Sequence, residues 1–295
     1  MPEAPTREWL DSQYNVRAIV KDRDYCVSQY HELSAAARDT LACQLDLPFG
    51  ATEAERLDFF PARPTPAPLV FFIHGGYWRA QDKGDFSYIA TPFNARGISF
   101  VSMNYQLAPA GTLDAMAEQV CRAAVWAREN SEAFGIDRSR IFLAGHSAGA
   151  HLAAMAMQAD WRALGLDENP FRGAVLVSGL FDLDPVRRCF VNDVLNLDEA
   201  AAARNSPILH LDRVDADSWR QREVIFCVGG EETDEFKRQQ DDFVAAWKAR
   251  GLPVQVVEEP GLNHYSVILE LGRPGSPLFD SVLAMIERTA PQGRA

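Results

Sequence analysis

The sequence predicts one α/β domain over residues 1–295, with a mainly parallel central sheet covered by helices on both faces. Segments that are apolar throughout alternate with helical segments, which is the pattern of strands buried on both sides. One of these strands stops at a turn of small residues, and a helix follows at once. No internal repeat or low-complexity segment divides the chain, and 47% apolar residues are enough for a large core.

The first fifty residues favour a helical N-terminal arm over 1–50. Residues 8–14 and 24–45 carry apolar side chains at helical spacing, so we expect helices that lie across the core and help to wall a pocket. A short strand is predicted at 57–60. The proline-rich stretch 61–68 then reads as an exposed turn between strands.

From residue 69 onward, predicted strands and helices alternate. The predicted strands are 69–73, 98–103, 141–144, 174–177, 224–228 and 254–257. The predicted helices are 82–95, 112–133, 148–158, 233–249 and 277–288, with short helical pieces between 185 and 203. In a parallel sheet of this kind, the ligand site lies at the carboxyl ends of the strands.

The segment 141–149 ends a strand at the turn Gly145-His146-Ser147-Ala148-Gly149. A serine in a sharp strand-to-helix turn holds its hydroxyl in the open, and the flanking glycines let the chain cross itself closely. The following helix directs its unpaired N–H groups at this point, with the Ala148 N–H nearest. Ser147 is therefore the predicted nucleophile.

A second small-residue loop, His74-Gly75-Gly76, follows the strand predicted at 69–73. Adjacent glycines at a strand end let backbone N–H groups approach a ligand, as an oxyanion hole requires. A loop of this type upstream of the serine turn completes the hole begun by the residue after the nucleophile. Gly75, Gly76 and Ala148 are the predicted oxyanion donors.

These two motifs and three further segments resemble one branch of the α/β-hydrolase superfamily, the kynurenine formamidase (arylformamidase) branch, which is related to hormone-sensitive-lipase-type esterases. The matching segments are HGGYW at 74–78, GHSAG at 145–149, LDSQYN at 10–15, NYQLAP at 104–109 and SGLFDL at 178–183. The resemblance extends nearly from end to end. It implies an α/β-hydrolase fold and hydrolysis of small acyl esters or formamides without a cofactor.

The predicted base is His264, because it is the only histidine after the strand at 254–257 and it matches the position of the family's base. The other histidines have weaker positions for that role; His74 is expected to brace the oxyanion loop. They are His31, His74, His146, His151 and His210. No H-E-x-x-H or carboxylate spacing accompanies them, so no metal site is predicted.

The acid of the predicted triad follows the strand at 224–228, where the residues leave two candidates. Glu232 stands three residues after Gly229, which is the superfamily's spacing, and it is the preferred candidate. Asp234 is the alternative, although an acidic residue there also has a simple role in the first turn of a helix. Ser147, Glu232 and His264 then follow the α/β-hydrolase order of nucleophile, acid and base.

Four aromatic residues are candidates for an aryl pocket, with core packing as the alternative for each. They are Tyr14, Tyr77, Trp78 and Phe181. The segment 181–207 stands where many of these hydrolases insert a cap. It is short here, which favours an open site and small substrates.

The formal charge of −12 comes from mixed acidic and basic residues without a basic block, so neither nucleic acid nor an anionic membrane is an expected partner. No apolar run approaches the roughly 18 residues of a membrane helix, and the polar start of the chain carries no signal core. We therefore expect a cytoplasmic protein. The five cysteines are scattered without C-x-x-C spacing, which favours reduced, buried thiols over disulfides or zinc ligands.

The sequence thus predicts a serine hydrolase that acts through a Ser-His-acid triad and an acyl-enzyme, with a small ester or formamide as its partner and no cofactor. A general short-chain carboxylesterase is the first alternative, because the same residues would serve it equally well. A hydrolase fold used as a non-catalytic ligand receptor is the alternative of another class. A homodimer is left open as the assembly state.

Overall fold

The computed structural model describes residues 4–289 and confirms the predicted α/β class. Its central sheet has eight strands in the order β1-β2-β4-β3-β5-β6-β7-β8. The strands are β1 Gln44–Pro48, β2 Arg56–Phe60, β3 Ala67–Ile73, β4 Ser99–Met103, β5 Ile136–His146, β6 Phe171–Val177, β7 Glu223–Gly229 and β8 Val254–Glu259. Strand β2 runs antiparallel to β1 and β4, and the five pairings from β4 to β8 are parallel.

Helices cover both faces of the sheet. The α-helices are α1 Arg7–Tyr14, α2 Val16–Ile19, α3 Arg23–Thr40, α4 Ala90–Asn94, α5 Leu113–Glu129, α6 Ala148–Met157, α7 Asp184–Arg187, α8 Asn192–Leu195, α9 Glu199–Arg204, α10 Ala216–Trp219, α11 Asp234–Ala249 and α12 Pro277–Arg288. Short 3-10 helices are found at Lys83–Ile89, Pro207–Arg213 and Val267–Gly272. None of the helices formed by residues 4–289 combines the length and apolar character that crossing a membrane requires.

The apolar strands separate two hydrophobic cores. Every residue of β3 is buried, because its side chains alternate between two covered faces. One core contains side chains of α5, α6 and α11, such as Val120, Leu152 and Phe243. The other contains side chains of α3, α4 and α12, such as Tyr30 and Phe279.

The register of the central strands brings the two glycine motifs together. Ile73, the last residue of β3, lies opposite Gly145 of β5. Because neighbouring parallel strands end at the same edge, the His74 loop and the Ser147 turn emerge side by side there.

The prediction of a helical arm over 1–50 is wrong at its C-terminal end. Helix α3 ends at Thr40, and Gln44–Pro48 forms the edge strand β1 on β2. Pairing with β2 satisfies the backbone groups of this segment, and Pro48 at its end is compatible with an edge strand but not with a helix interior.

Other boundaries also differ from the predictions. The helix expected over 82–95 is a 3-10 helix, Lys83–Ile89, joined to α4, and a capping box from Asp82 and Asp85 begins it. Strand β5 starts at Ile136 rather than at residue 141. Its first residues are polar and less buried, so the apolar pattern did not indicate that they belong to the strand.

Candidate active site

Ser147 occupies the turn between β5 and α6 in a backbone conformation that residues other than glycine rarely adopt. Its φ is 56° and its ψ is −119°. The turn is tight: a Cβ on Gly149 would lie 2.0 Å from the Ile73 carbonyl oxygen, and one on Gly145 would lie 2.4 Å from the Gly149 oxygen. Only glycine fits at both positions, so the sequence pattern itself produces the turn that exposes the Ser147 hydroxyl to its neighbours.

The structure brings Ser147, His264 and Glu232 together from three different loops. His264, in the loop after β8, has its Nε2 3.0 Å from Ser147 Oγ. Its Nδ1 lies 2.6 Å from Glu232 Oε2. All three residues are buried, with 2%, 4% and 6% of their surfaces exposed for Ser147, His264 and Glu232. A neutral imidazole that donates from Nδ1 to the carboxylate presents its Nε2 lone pair to the serine hydroxyl.

Glu232 is held on its other carboxylate oxygen as well. Oε1 accepts hydrogen bonds from the Gly229 N–H at 2.8 Å and from the Ser178 hydroxyl at 2.5 Å. The alternative acid, Asp234, begins α11 with its side chain exposed to solvent. The structure therefore places Glu232, and not Asp234, against His264.

The predicted oxyanion donors lie beside the serine. A Cβ on Gly75 would lie 3.1 Å from the Ser147 Cβ, which shows how closely this loop approaches the serine. Within the described part of the chain, no hydrogen-bond acceptor pairs with the N–H groups of Gly75, Gly76 or Ala148. Free backbone donors at a helix N-terminus next to a nucleophile are suited to binding a developing negative charge.

Two buried rings brace the predicted oxyanion loop, His74-Gly75-Gly76. The Nδ1–H of His74 donates to the Gly75 carbonyl at 2.9 Å, and the His74 ring stacks on Tyr105 with 4.5 Å between centroids. The Tyr105 hydroxyl lies 3.1 Å from the carbonyl oxygens of both His74 and Gly75. Burial lowers the pKa of His74, so this ring is neutral at physiological pH and serves as a fixed support.

Two further histidines near the serine have structural partners. Nε2 of His146 lies 3.0 Å from the backbone oxygen of His264, and burial together with the neighbouring His264 ring holds the pKa of His146 well below its usual range. His151 bonds the Asn205 carbonyl at 2.7 Å and accepts the indole N–H of Trp78 at 3.2 Å. Burial lowers the pKa of His151 to about 4, although the bond to Asn205 opposes this.

Metal ligation has no support in residues 4–289, where no group of three or more His, Cys, Asp or Glu side chains is arranged to hold an ion. A cleft of about 1500 Å³ opens at the other end of α6, among residues of α5, the segment between 158 and 172, and Arg213 to Arg222. None of the candidate site residues lines this cleft. Its size therefore says nothing about the chemistry at Ser147.

The four aromatic pocket candidates differ in their surroundings. Trp78 and Phe181 have 0% and 1% of their surfaces exposed, and the Phe181 ring stacks on Phe243 at 4.4 Å. Tyr14 is also fully buried, whereas Tyr77 keeps part of its surface accessible. Of the four, Tyr77 is therefore the residue that a ligand could contact without displacing core side chains.

The N-terminal arm contacts the loops that carry the site. The Tyr77 hydroxyl donates to the Tyr14 carbonyl at 2.6 Å, which ties the arm to the oxyanion loop. The Tyr14 hydroxyl donates to Glu235 at 2.6 Å, and the Thr233 hydroxyl donates to the Gln13 carbonyl at 2.8 Å, close to Glu232. Sequence reasoning expected a wall here but did not identify these bonds, since nothing local in residues 13–14 indicates partners 63 to 221 positions away.

The arm also holds the histidine loop. The Asn263 amide donates to Asp22 at 2.9 Å, and the Tyr30 hydroxyl donates to the Tyr265 carbonyl. On the other side, the Phe236 ring packs 4.4 Å from the ring of His264. The residues on either side of His264 are thus held by Asp22, just before α3, and by Tyr30 of α3, while its ring is supported from α11.

The comparisons with known proteins agree with this geometry. A family model described as an alpha/beta hydrolase fold matches residues 70–268. The chain is 34% identical to the kynurenine formamidase of Danio rerio over 256 residues, which cover 86% of this chain and 85% of that protein. It is 33% identical to the kynurenine formamidase of Salmo salar over 270 residues, which cover 90% of each chain.

Solved structures give the same fold. A thioesterase candidate from Silicibacter sp. TM1040 superposes with a TM-score of 0.80 at 29% identity, covering 94% of this chain and 98% of that one. An esterase from Pyrobaculum calidifontis superposes with a TM-score of 0.70 at 21% identity, covering 97% and 99%. The chain therefore belongs to the α/β-hydrolase family and, within it, to the arylformamidase-like branch of hydrolases.

Proposed function

We propose that this protein is a serine hydrolase that cleaves aryl formamides through an acyl-enzyme. The observation that carries the proposal is the hydrogen-bonded series Ser147 Oγ, His264 Nε2, His264 Nδ1 and Glu232 Oε2, with separations of 3.0 and 2.6 Å at its two contacts. A nucleophile, a base and a group that orients the base, each within hydrogen-bond reach of the next, form the arrangement that activates a serine hydroxyl. The similarity to kynurenine formamidases over most of the chain supports the formamide as substrate.

In the first half of the proposed reaction, Ser147 Oγ attacks the formyl carbon while His264 Nε2 takes the hydroxyl proton. Glu232 stabilises the imidazolium that forms, and the N–H groups of Gly75, Gly76 and Ala148 bind the oxygen that becomes negative. When the tetrahedral intermediate breaks down, the C–N bond cleaves and His264 returns its proton to the leaving aryl amine. The formyl group remains on the serine as an ester.

In the second half, water takes the place of the amine. His264 removes a proton from the water as it attacks the formyl ester, and the same N–H groups bind the oxyanion again. The C–O bond to Ser147 then breaks, His264 returns the proton to Oγ, and formate leaves. No redox change and no cofactor enters either half.

A short-chain carboxylesterase is the second candidate function. The observation that favours it is a local sequence similarity to esterases, such as Esterase LipC of Mycobacterium tuberculosis, which is 36% identical over 112 residues. The proposed chemistry differs only in the leaving group, which would be an alcohol in place of an amine. The residues named above would serve both reactions.

The test compares kcat/KM for N-formylkynurenine with kcat/KM for p-nitrophenyl acetate and butyrate, using Ser147→Ala as the blank. A preference for the formamide of a hundredfold or more, about 3 kcal/mol in the transition state, would support an arylformamidase. The reverse preference would support the esterase. Full turnover by Ser147→Ala would overturn the serine mechanism for both.

A further inference from the structure

Ser178 is the first residue after β6, and its backbone is left-handed with a φ of 52°. Its N–H donates to the Cys227 carbonyl of β7 at 2.8 Å, while Ser147 donates in the same way to the Val177 carbonyl at 2.8 Å. Two neighbouring strands, β5 and β6, are therefore each followed directly by a serine whose positive φ favours glycine. The hydrogen bonds to the next strand fix both turns in place.

The strain at Ser178 accompanies a contact that only its hydroxyl can make. A non-glycine residue with φ near +50° is held there at a cost, and such positions cluster where the side chain has a function. Gly179 follows directly, so glycine occurs in this turn but not at the strained position. The Ser178 hydroxyl donates to Glu232 Oε1 at 2.5 Å.

The two donors on Oε1 define how the Glu232 carboxylate is turned. Without the Ser178 hydroxyl, Oε1 would keep only the Gly229 N–H, at 2.8 Å, and the carboxylate would be held less firmly about its last bond. With the Ser178 hydroxyl as second donor, Oε1 is fixed and Oε2 faces His264 Nδ1. The Glu232 side chain has 0% of its surface exposed, so water does not compete for these sites.

We propose that Ser178 is a positioning residue of the triad, which holds the Glu232 carboxylate toward His264 and shares its negative charge. The inference rests on the proposed function, because it assigns Ser178 a task within the same Ser147, His264 and Glu232 series. A donor on the carboxylate weakens the attraction between the carboxylate and the imidazolium. Ser178 therefore sets both the orientation of the base and the pH at which it works.

The other ionisable groups around the pair do not carry charge that could replace this effect. They are Cys227 on β7, Tyr30 on α3, Tyr77 in the oxyanion loop, His146 on β5 and Tyr265 beside His264. Burial raises the pKa of the thiol and of each phenol and lowers that of His146, so all five are neutral near pH 7. Arg17 and Arg23 lie near the Tyr265 hydroxyl rather than at the carboxylate.

The test uses Ser178→Gly and Ser178→Ala together. Both variants lose the hydroxyl, but glycine also removes the strain of the left-handed backbone, so Ser178→Gly should melt at a higher temperature than Ser178→Ala. In both variants we expect kcat and kcat/KM to fall by about tenfold with little change in KM. The acid limb of the kcat/KM profile should also move to higher pH, because a carboxylate that has lost a donor attracts the imidazolium more strongly.

Ser102→Ala is the matched control, since the Ser102 hydroxyl is buried on β4 and has no hydrogen-bond partner among the described residues. Its activity and pH profile should match those of the unmodified protein. If Ser178→Gly is as active as the unmodified protein while Ser178→Ala is impaired, activity follows stability and the positioning role is wrong. Unchanged activity and pH limb in both would also overturn it. Retained turnover in Ser147→Ala would instead overturn the proposed function.

Discussion

Replacing Glu232 by glutamine perturbs the proposed triad at the residue whose hydrogen bonds the structure defines most completely. The carboxylate accepts three hydrogen bonds in the structure, from the Ser178 hydroxyl, the Gly229 N–H and His264 Nδ1. Glutamine has nearly the same shape but has one oxygen and one NH₂ group. If its oxygen stays on the two donors at Oε1, its NH₂ group faces His264 and can only donate.

The consequence is the wrong imidazole tautomer. His264 would accept at Nδ1 and carry its proton on Nε2, 3.0 Å from Ser147 Oγ, where it could no longer remove the hydroxyl proton. The imidazolium of the transition state would also lose its carboxylate. In serine proteases, the equivalent change of acid to amide lowers kcat by about 10⁴-fold, which is roughly 5 kcal/mol. We expect a loss of that order here, with the melting temperature nearly unchanged.

The assay is the rate of acylation by p-nitrophenyl acetate, followed as release of p-nitrophenol in single turnovers. Glu231→Gln is the matched control, because Glu231 is the exposed neighbour, whereas the carboxylate at His264 Nδ1 is that of Glu232. Asp234→Asn tests the alternative acid and should retain full activity. A loss of less than tenfold in Glu232→Gln, or a large loss in Asp234→Asn, would refute the assignment of Glu232.

Three further predictions concern stability and are checked by chemical denaturation. Tyr14→Phe removes the hydroxyl that donates to the buried Glu235 carboxylate at 2.6 Å. The free energy of unfolding should therefore fall by about 2 kcal/mol. An unchanged free energy of unfolding would mean that water replaces the bond. Lys83→Met removes the nearer cation of Asp58, which is 1% exposed and 3.0 Å from Lys83 Nζ, while Arg38 remains 3.9 Å away; the free energy of unfolding should fall by about 2 kcal/mol, and a loss below about 0.5 kcal/mol would contradict this. His151 has a folded-state pKa of about 4 because burial disfavours its charge, so below pH 6.5 the unfolded chain binds a proton that the folded protein does not. The free energy of unfolding should therefore fall by roughly 3 kcal/mol between pH 6.5 and 4, and His151→Gln should lack this part of the pH dependence; an identical slope in the variant would show that other groups are responsible.

The fold was predictable where one local pattern determines each element. The strand 69–73 was predicted because burial on both faces makes every residue of it apolar. The helix Pro277–Arg288 was predicted because burial on one face spaces its apolar residues at the helical period. Strand β1 was missed because its edge position leaves most of its residues exposed and without a clear alternation. Only its pairing with β2 makes Gln44–Pro48 a strand, and that partner is not visible in the segment itself.

The candidate site divides in the same way. Ser147 and the predicted oxyanion glycines were proposed from short motifs whose backbone geometry dictates their composition, and the structure brings these motifs side by side. The choice between Glu232 and Asp234 depends on the register of a loop, which the structure resolves by placing Glu232 at His264. Ser178 could not be found from the sequence, because its role exists only through a residue 54 positions away. The sequence indicated only that a serine follows the predicted strand 174–177, the next strand along the chain after the one that precedes Ser147.

The buried aromatics show a different limit. Trp78 follows a motif at the site, and Phe181 follows a strand that ends there, yet both side chains turn into the core. Backbone position determines that a residue is near a site, but side-chain direction decides whether it faces a ligand. For Trp78 that direction is set by the His151 ring, which accepts its indole N–H.

The central claim is that Ser147 is a nucleophile activated by His264, and covalent labelling tests it most directly. The protein would be treated with a fluorophosphonate and the adduct located by peptide mass spectrometry, with Ser147→Ala and His264→Ala beside it. We expect one adduct on Ser147, none in Ser147→Ala, and labelling slowed by about a thousandfold or more in His264→Ala. Absence of an adduct, or equal labelling with and without His264, would contradict the account.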